Sequence, residues 1–175
     1  SNVPRIRDVE AMLELLERLG AIVSWRSDHE VSVCAGPITA DAVVDEEMAE
    51  RIRASFLLAG PLLARFGQAV MPPPGGDVIG RRRLDPHLDA FQALGATVAD
   101  DPVAIVINAP SGGLQAGDVF MDEPSVMATE NALMAAVLAW VPFVGSVASS
   151  IIFGETFGSL RLAGMVTAIA GIAVM

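Results

Sequence analysis

Two short stretches of the chain concentrate the residue types able to do chemistry. The first is Pro72-Pro73-Pro74-Gly75-Gly76-Asp77-Val78-Ile79-Gly80-Arg81-Arg82-Arg83-Leu84-Asp85-Pro86-His87. It sets a stiff proline run against paired glycines, a carboxylate and three consecutive arginines. Glycines let backbone N–H groups approach a ligand closely, and guanidinium groups are planar, permanently charged donors suited to phosphate. The pattern reads as an anion site or, on composition alone, as a solvated basic loop ahead of a helix. The second stretch is Asp122-Glu123-Pro124-Ser125-Val126. Here Ser125 either caps a helix or helps that helix's N-terminus hold an anion.

Little else in the chain competes for a chemical role. His29 and His87 lie far apart, and Cys34 is the sole cysteine. No metal-ligand spacing, disulfide framework or cofactor motif appears, so no cofactor is expected. A net charge of -10 argues against nucleic-acid binding, which needs a basic face to neutralise phosphates. The lone cysteine fits a reduced, cytoplasmic setting, and no basic-then-apolar leader is seen. Mean hydropathy is high at +0.52. The excess sits at one end, because from Ala132 to Met175 only Glu155 and Arg161 carry charge.

The elements that must position the two loops follow from an internal repeat. Arg7, Leu13, Leu16, Leu19, Gly20, Ala21 and Val23 recur as Arg82, Leu88, Phe91, Leu94, Gly95, Ala96 and Val98, always 75 positions on. In each copy the apolar residues recur every third position, as on one helix face, and a glycine follows as helix stop. A strand pair comes next. Ala21 to Trp25 and Glu30 to Cys34 flank one polar turn, and Ala96 to Ala99 and Val103 to Asn108 flank the other. Between the copies the pattern predicts one long helix from about Glu46 to Phe66. A matching helix is predicted to start at Ser125 and run through Ala136, with the Gly112 to Met121 stretch before it read as a strand region. The fold class expected is α/β (α+β), with helices packed against mixed sheets. On pattern alone, any duplicated domain of that class satisfies it.

Specific sequence blocks narrow this. Asn2 to Val9, Arg53-Ala54-Ser55 and Gly60-Pro61-Leu62-Leu63-Ala64-Arg65-Phe66-Gly67 resemble the UDP-N-acetylglucosamine 1-carboxyvinyltransferases, a family of enolpyruvyl transferases. So do Pro74-Gly75-Gly76, Ile79-Gly80, Arg82, Asp85, His87, Leu94-Gly95-Ala96, Ser125-Val126 and Ala128-Thr129-Glu130-Asn131, in family order from about residue 2 to 139. The resemblance implies transfer of an enolpyruvyl group from phosphoenolpyruvate to the sugar 3-hydroxyl, a step of peptidoglycan and hence cell wall biogenesis. It also implies that Arg53 contacts the nucleotide sugar and that Arg82, Arg83, Leu84, Asp85, Pro86 and His87 form its loop, with Arg82 near the phosphoenolpyruvate phosphate. Glu123, Pro124, Ser125 and Val126 would supply the second contact.

By the same resemblance, Asp77 stands where most members carry a cysteine, the residue assigned as general acid and alkylated by fosfomycin, while some members carry aspartate. Asp77 is therefore expected to be the proton donor and the protein type to resist fosfomycin. A carboxylate donates only while protonated, so burial or a neighbouring negative charge must raise its pKa, whereas Arg81 and Arg82 push the other way.

The sequence also departs from the family. Arg83 replaces a usual proline, Glu123 often stands where a basic residue would be, and Met127 replaces a usual glycine. The family's Gly-Lys-Asn stretch would precede residue 1, and its second globular domain lies outside the chain, so no turnover is expected from this chain alone. From about residue 140 the likeness changes. The segments Trp140 to Ser146, Ile151 to Thr156 and Leu160 to Met175 weakly resemble the C-terminal helices of drug/metabolite transporters. The organisation expected is a partial domain over 1–139 and an apolar helical hairpin over 140–175. Asn131 to Gly154 carries no charge and has the length to span a bilayer, although two buried core helices read equally well. The alternatives to a partial transferase are a membrane-anchored nucleotide-sugar-binding module, touching the membrane through 131–175, and a non-functional chimera.

Overall fold

A computed structural model describes residues 2–75, 83–101 and 103–153, with side chains described through residue 139, residue 100 excepted. The first repeat copy is helix α1 (Arg7–Arg18) followed by the antiparallel hairpin β1 (Ile22–Ser27) and β2 (Glu30–Cys34). The second copy is α4 (Asp85–Ala93), β4 (Thr97–Asp100) and β5 (Ile105–Asn108).

The duplication holds down to single hydrogen bonds. After α1, Gly20 N–H donates to the Glu17 carbonyl and Ala21 N–H to the Leu16 carbonyl; after α4, Gly95 donates to Gln92 and Ala96 to Phe91. Both glycines have positive φ, 108° and 86°. These are paired Schellman endings, in which the left-handed residue turns the chain so that two helix carbonyls regain partners. The repeat thus fixes where each helix stops and where each hairpin begins. On α1 the buried residues are Leu13 and Leu15, with Leu16 half-buried and the C-cap Leu19 buried, so the inward stripe is wider than the three-residue spacing alone implies.

Between the copies the predicted long helix is broken in two places. The chain forms α2 (Glu46–Arg51), a 3₁₀ segment (Arg53–Leu58) and α3 (Ala59–Phe66). Ile52 is extended, with φ -146° and ψ 125°, and the Ser55 hydroxyl donates to the Ala49 carbonyl that the break leaves open. Pro61 explains the second interruption. It has no N–H for an interior helical bond and is tolerated in the first turn of a new helix. The Asp45 carboxylate caps α2 through the Met48 N–H at 2.9 Å and also accepts from Arg18 at 3.0 Å.

Strand β3 (Gln68–Met71) follows α3 and pairs antiparallel with β5, giving a three-stranded sheet of order β3-β5-β4. The first hairpin forms a two-stranded sheet of its own among the described residues. The predicted strand region Gly112 to Met121 contains no strand. Gly112 and Gly113 turn the chain there, and the segment is held by single bonds such as Gln115 N–H to the Leu94 carbonyl. Helix α5 (Val126–Phe153) packs on α3, α4 and the 3₁₀ segment and runs uninterrupted past residue 139. Its buried face is Ala128, Asn131 and Ala135, all fully buried, while Leu133, Val137 and Leu138 face outward. Among the residues whose side chains are described, no helix is long and apolar enough to cross a membrane. The predicted second arm of the apolar hairpin lies outside the described residues.

Candidate functional site

Three elements carry the predicted site residues that the structure describes. Arg53 opens the 3₁₀ segment, because Ile52 ends α2 in extended backbone and redirects the chain. Arg83 to His87 lead into α4, whose first turn accepts Pro86 without loss of a helical bond. The first residues of α5 follow the loop bearing Asp122, Glu123 and Pro124.

Arg53 and the α4 loop meet directly: the Arg53 guanidinium donates to the Arg83 carbonyl at 3.4 Å. The Arg83 side chain turns onto Asp85, with Nε to Oδ2 and Nη2 to Oδ1 both at 2.9 Å. This fork commits two of its donors to a carboxylate of the same loop. The bond and charge of Asp85, followed by the charges of Asp122 and Glu123, hold the Arg83 guanidinium above its ordinary pKa. Leu84 is half-buried beneath the pair, and Pro86 is buried.

His87, in the first turn of α4, is buried, 3% exposed. Its ring meets Phe56 edge to face at 5.1 Å between centroids. Its Nδ1 lies 3.2 Å from the Asn131 side-chain nitrogen. Burial first, and the Arg53 charge second, push its pKa down to about 4, so the ring is neutral at pH 7. Sequence reasoning did not single out Asn131 as a site residue. The signal was available: a polar residue three positions after Ala128 and four before Ala135, on the face that packs inward.

Ser125 takes the capping role, its hydroxyl accepting the Ala128 N–H at 3.2 Å. Glu123, Pro124 and Val126 are exposed beside it. Asp77 and Arg82, with the rest of 76–82, lie outside the described residues. Among the described residues no cluster of histidine, cysteine and carboxylate side chains could hold a metal ion.

The duplicated helix–hairpin units form a fold that an enolpyruvyl transferase shares. The crystal structure of the enolpyruvyl transferase NikO from Streptomyces tendae matches with a TM-score of 0.59 at 19% identity, covering 75% of this chain and 31% of that one. The chain belongs to the EPSP synthase (3-phosphoshikimate 1-carboxyvinyltransferase) family, whose family model matches residues 1–151. Among its relatives, the UDP-N-acetylglucosamine 1-carboxyvinyltransferase of Bradyrhizobium diazoefficiens is 54% identical over 138 residues, which are 79% of this chain and 31% of the relative. The protein of the same name from Treponema pallidum is 51% identical, over 79% of this chain and 32% of that one. The chain thus spans about a third of the length of these relatives.

Proposed function

We propose that this chain is the nucleotide-sugar-binding part of an enolpyruvyl transferase acting on UDP-N-acetylglucosamine. The observation that carries the proposal is 54% identity to a UDP-N-acetylglucosamine 1-carboxyvinyltransferase, in a chain where the Arg53 guanidinium meets the Arg83 carbonyl in the loop bearing Asp85. Arg53 contacts the nucleotide sugar, the 82–87 loop lies along it, and Glu123, Pro124, Ser125 and Val126 supply the second contact. Phosphoenolpyruvate is the proposed second substrate, with Arg82 at its phosphate and Asp77 as proton donor. Lacking a thiol at that position, the protein type resists fosfomycin; a fosfomycin mass adduct on Asp77 would overturn this part.

Cytoplasmic placement follows from the same reading, since the nucleotide sugar and the enol phosphate are both charged metabolites. Turnover is not expected from this chain alone. Catalysis of this kind depends on holding two substrates in register and on oriented charge around the reacting atoms, and these residues span about a third of the length of the relatives. The test is calorimetric titration of the chain with UDP-N-acetylglucosamine, comparing wild type with Arg53→Ala. Saturable binding that weakens in the variant supports the reading. A folded chain with no binding overturns it.

A further inference from the structure

Among the described residues the buried polar side chains are Ser55, His87 and Asn131. Ser55 is accounted for by the Ala49 carbonyl, and the other two belong to one network. The orientation of the Asn131 amide is fixed by its neighbours. The Gly60 N–H, which can only donate, lies 2.7 Å from Oδ1, and the Phe56 carbonyl, which can only accept, lies 2.8 Å from Nδ2. One Nδ2 proton remains, and the atom facing it at 3.2 Å is His87 Nδ1. That nitrogen must therefore accept, which leaves the imidazole proton on Nε2.

We infer that Asn131 is a positioning residue of the nucleotide-sugar site: its single amide bonds both the 3₁₀ segment that bears Arg53 and the first turn of α4, and holds His87 as an Nε2–H donor. The inference rests on the nucleotide-sugar reading above. Phe56 lies one 3₁₀ turn beyond Arg53, so bonding its carbonyl fixes the turn from which Arg53 projects. His87 lies in the first turn of α4, two residues after Asp85, so holding its ring fixes that turn as well. Gly60 extends the same anchor to α3. The depressed pKa of His87 agrees with a ring that works as a neutral donor and not as an acid or base.

The test uses the full chain carrying Asn131→Asp, which keeps an oxygen for Gly60 and removes both N–H donations. Ring nitrogen-15 spectra, assigned against His87→Gln, should show Nδ1 unprotonated in wild type and protonated in Asn131→Asp. The Arg53 Nε–H resonance should shift, and affinity for UDP-N-acetylglucosamine should fall about tenfold, the scale of one or two lost buried hydrogen bonds. Wild-type His87 protonated at Nδ1 overturns the inference whether or not the variant folds. So does a folded variant with unchanged Arg53 resonance and affinity. If wild type itself does not bind the nucleotide sugar, the nucleotide-sugar reading fails, and the ring and Arg53 resonances still decide the role of Asn131.

Discussion

Gly60 stands so close to Asn131 that a Cβ on the glycine would lie 2.5 Å from both the backbone carbonyl and the side-chain oxygen of that residue. Of these two oxygens Oδ1 is needed where it is, since it also accepts the Gly60 N–H. The contact joins α3 to α5 across the centre of the fold. Gly60→Ala should therefore destabilise the chain by about 2–3 kcal/mol, the range for forcing extra volume into a packed core. Urea denaturation would measure it, and a loss below about 1 kcal/mol would show that the helices separate easily.

His87 makes stability depend on pH. Its folded pKa of about 4 lies below the ordinary value of 6.5, so between these values the unfolded chain binds the extra proton and the folded chain does not. Stability is full above about pH 6.5 and declines as pH falls toward 4, by on the order of 3 kcal/mol for a shift of this size. Arg53 is the charged group whose field adds to the burial. In His87→Gln, unfolding midpoints should lose most of their slope over that interval. A variant with the wild-type slope would place the linkage elsewhere, with the carboxylates.

Much of this architecture was legible in the residues themselves. The Gly20 and Gly95 stops, the hairpin after each and the start of α5 at Ser125 are local events, each set by one residue's backbone freedom or capping oxygen. The resemblance blocks also placed Arg53, Asp85 and His87 in one site, and the structure brings them together. What could not be read depends on contacts between distant positions. The break at Ile52 is stabilised by a hydroxyl reaching back to Ala49, although Gly60-Pro61 was a local warning against one long helix. The 112–121 segment forms no strand and is held instead by bonds such as Gln115 N–H to the distant Leu94 carbonyl. Asn131 reads as one more polar residue in a helix until Gly60, Phe56 and His87 are folded around it.

Ser125→Ala should remove about 1 kcal/mol by leaving the Ala128 N–H without its capping oxygen. The same variant separates the two readings of that serine. With capping alone, thermal stability falls and nucleotide-sugar affinity stays within about twofold; with ligand contact as well, affinity falls about tenfold. The geometry predicts the first result.

Arg83→Ala should change stability by less than about 1 kcal/mol, because its fork to Asp85 is exposed and screened by solvent. Its effect on binding should be smaller than that of Arg53→Ala, since two of its donors are already committed to Asp85. Side-by-side titrations at low and moderate salt check both points. An equal loss in the two variants would mean that Arg83 leaves Asp85 for the ligand.

The most direct test of the central claim is calorimetric titration of the folded chain with UDP-N-acetylglucosamine, alongside Arg53→Ala. The account predicts one saturable site that weakens at least about tenfold in the variant, while circular dichroism of the two chains is the same. A wild-type chain that is folded yet shows no heat of binding, or a variant that binds as tightly as wild type, would contradict it.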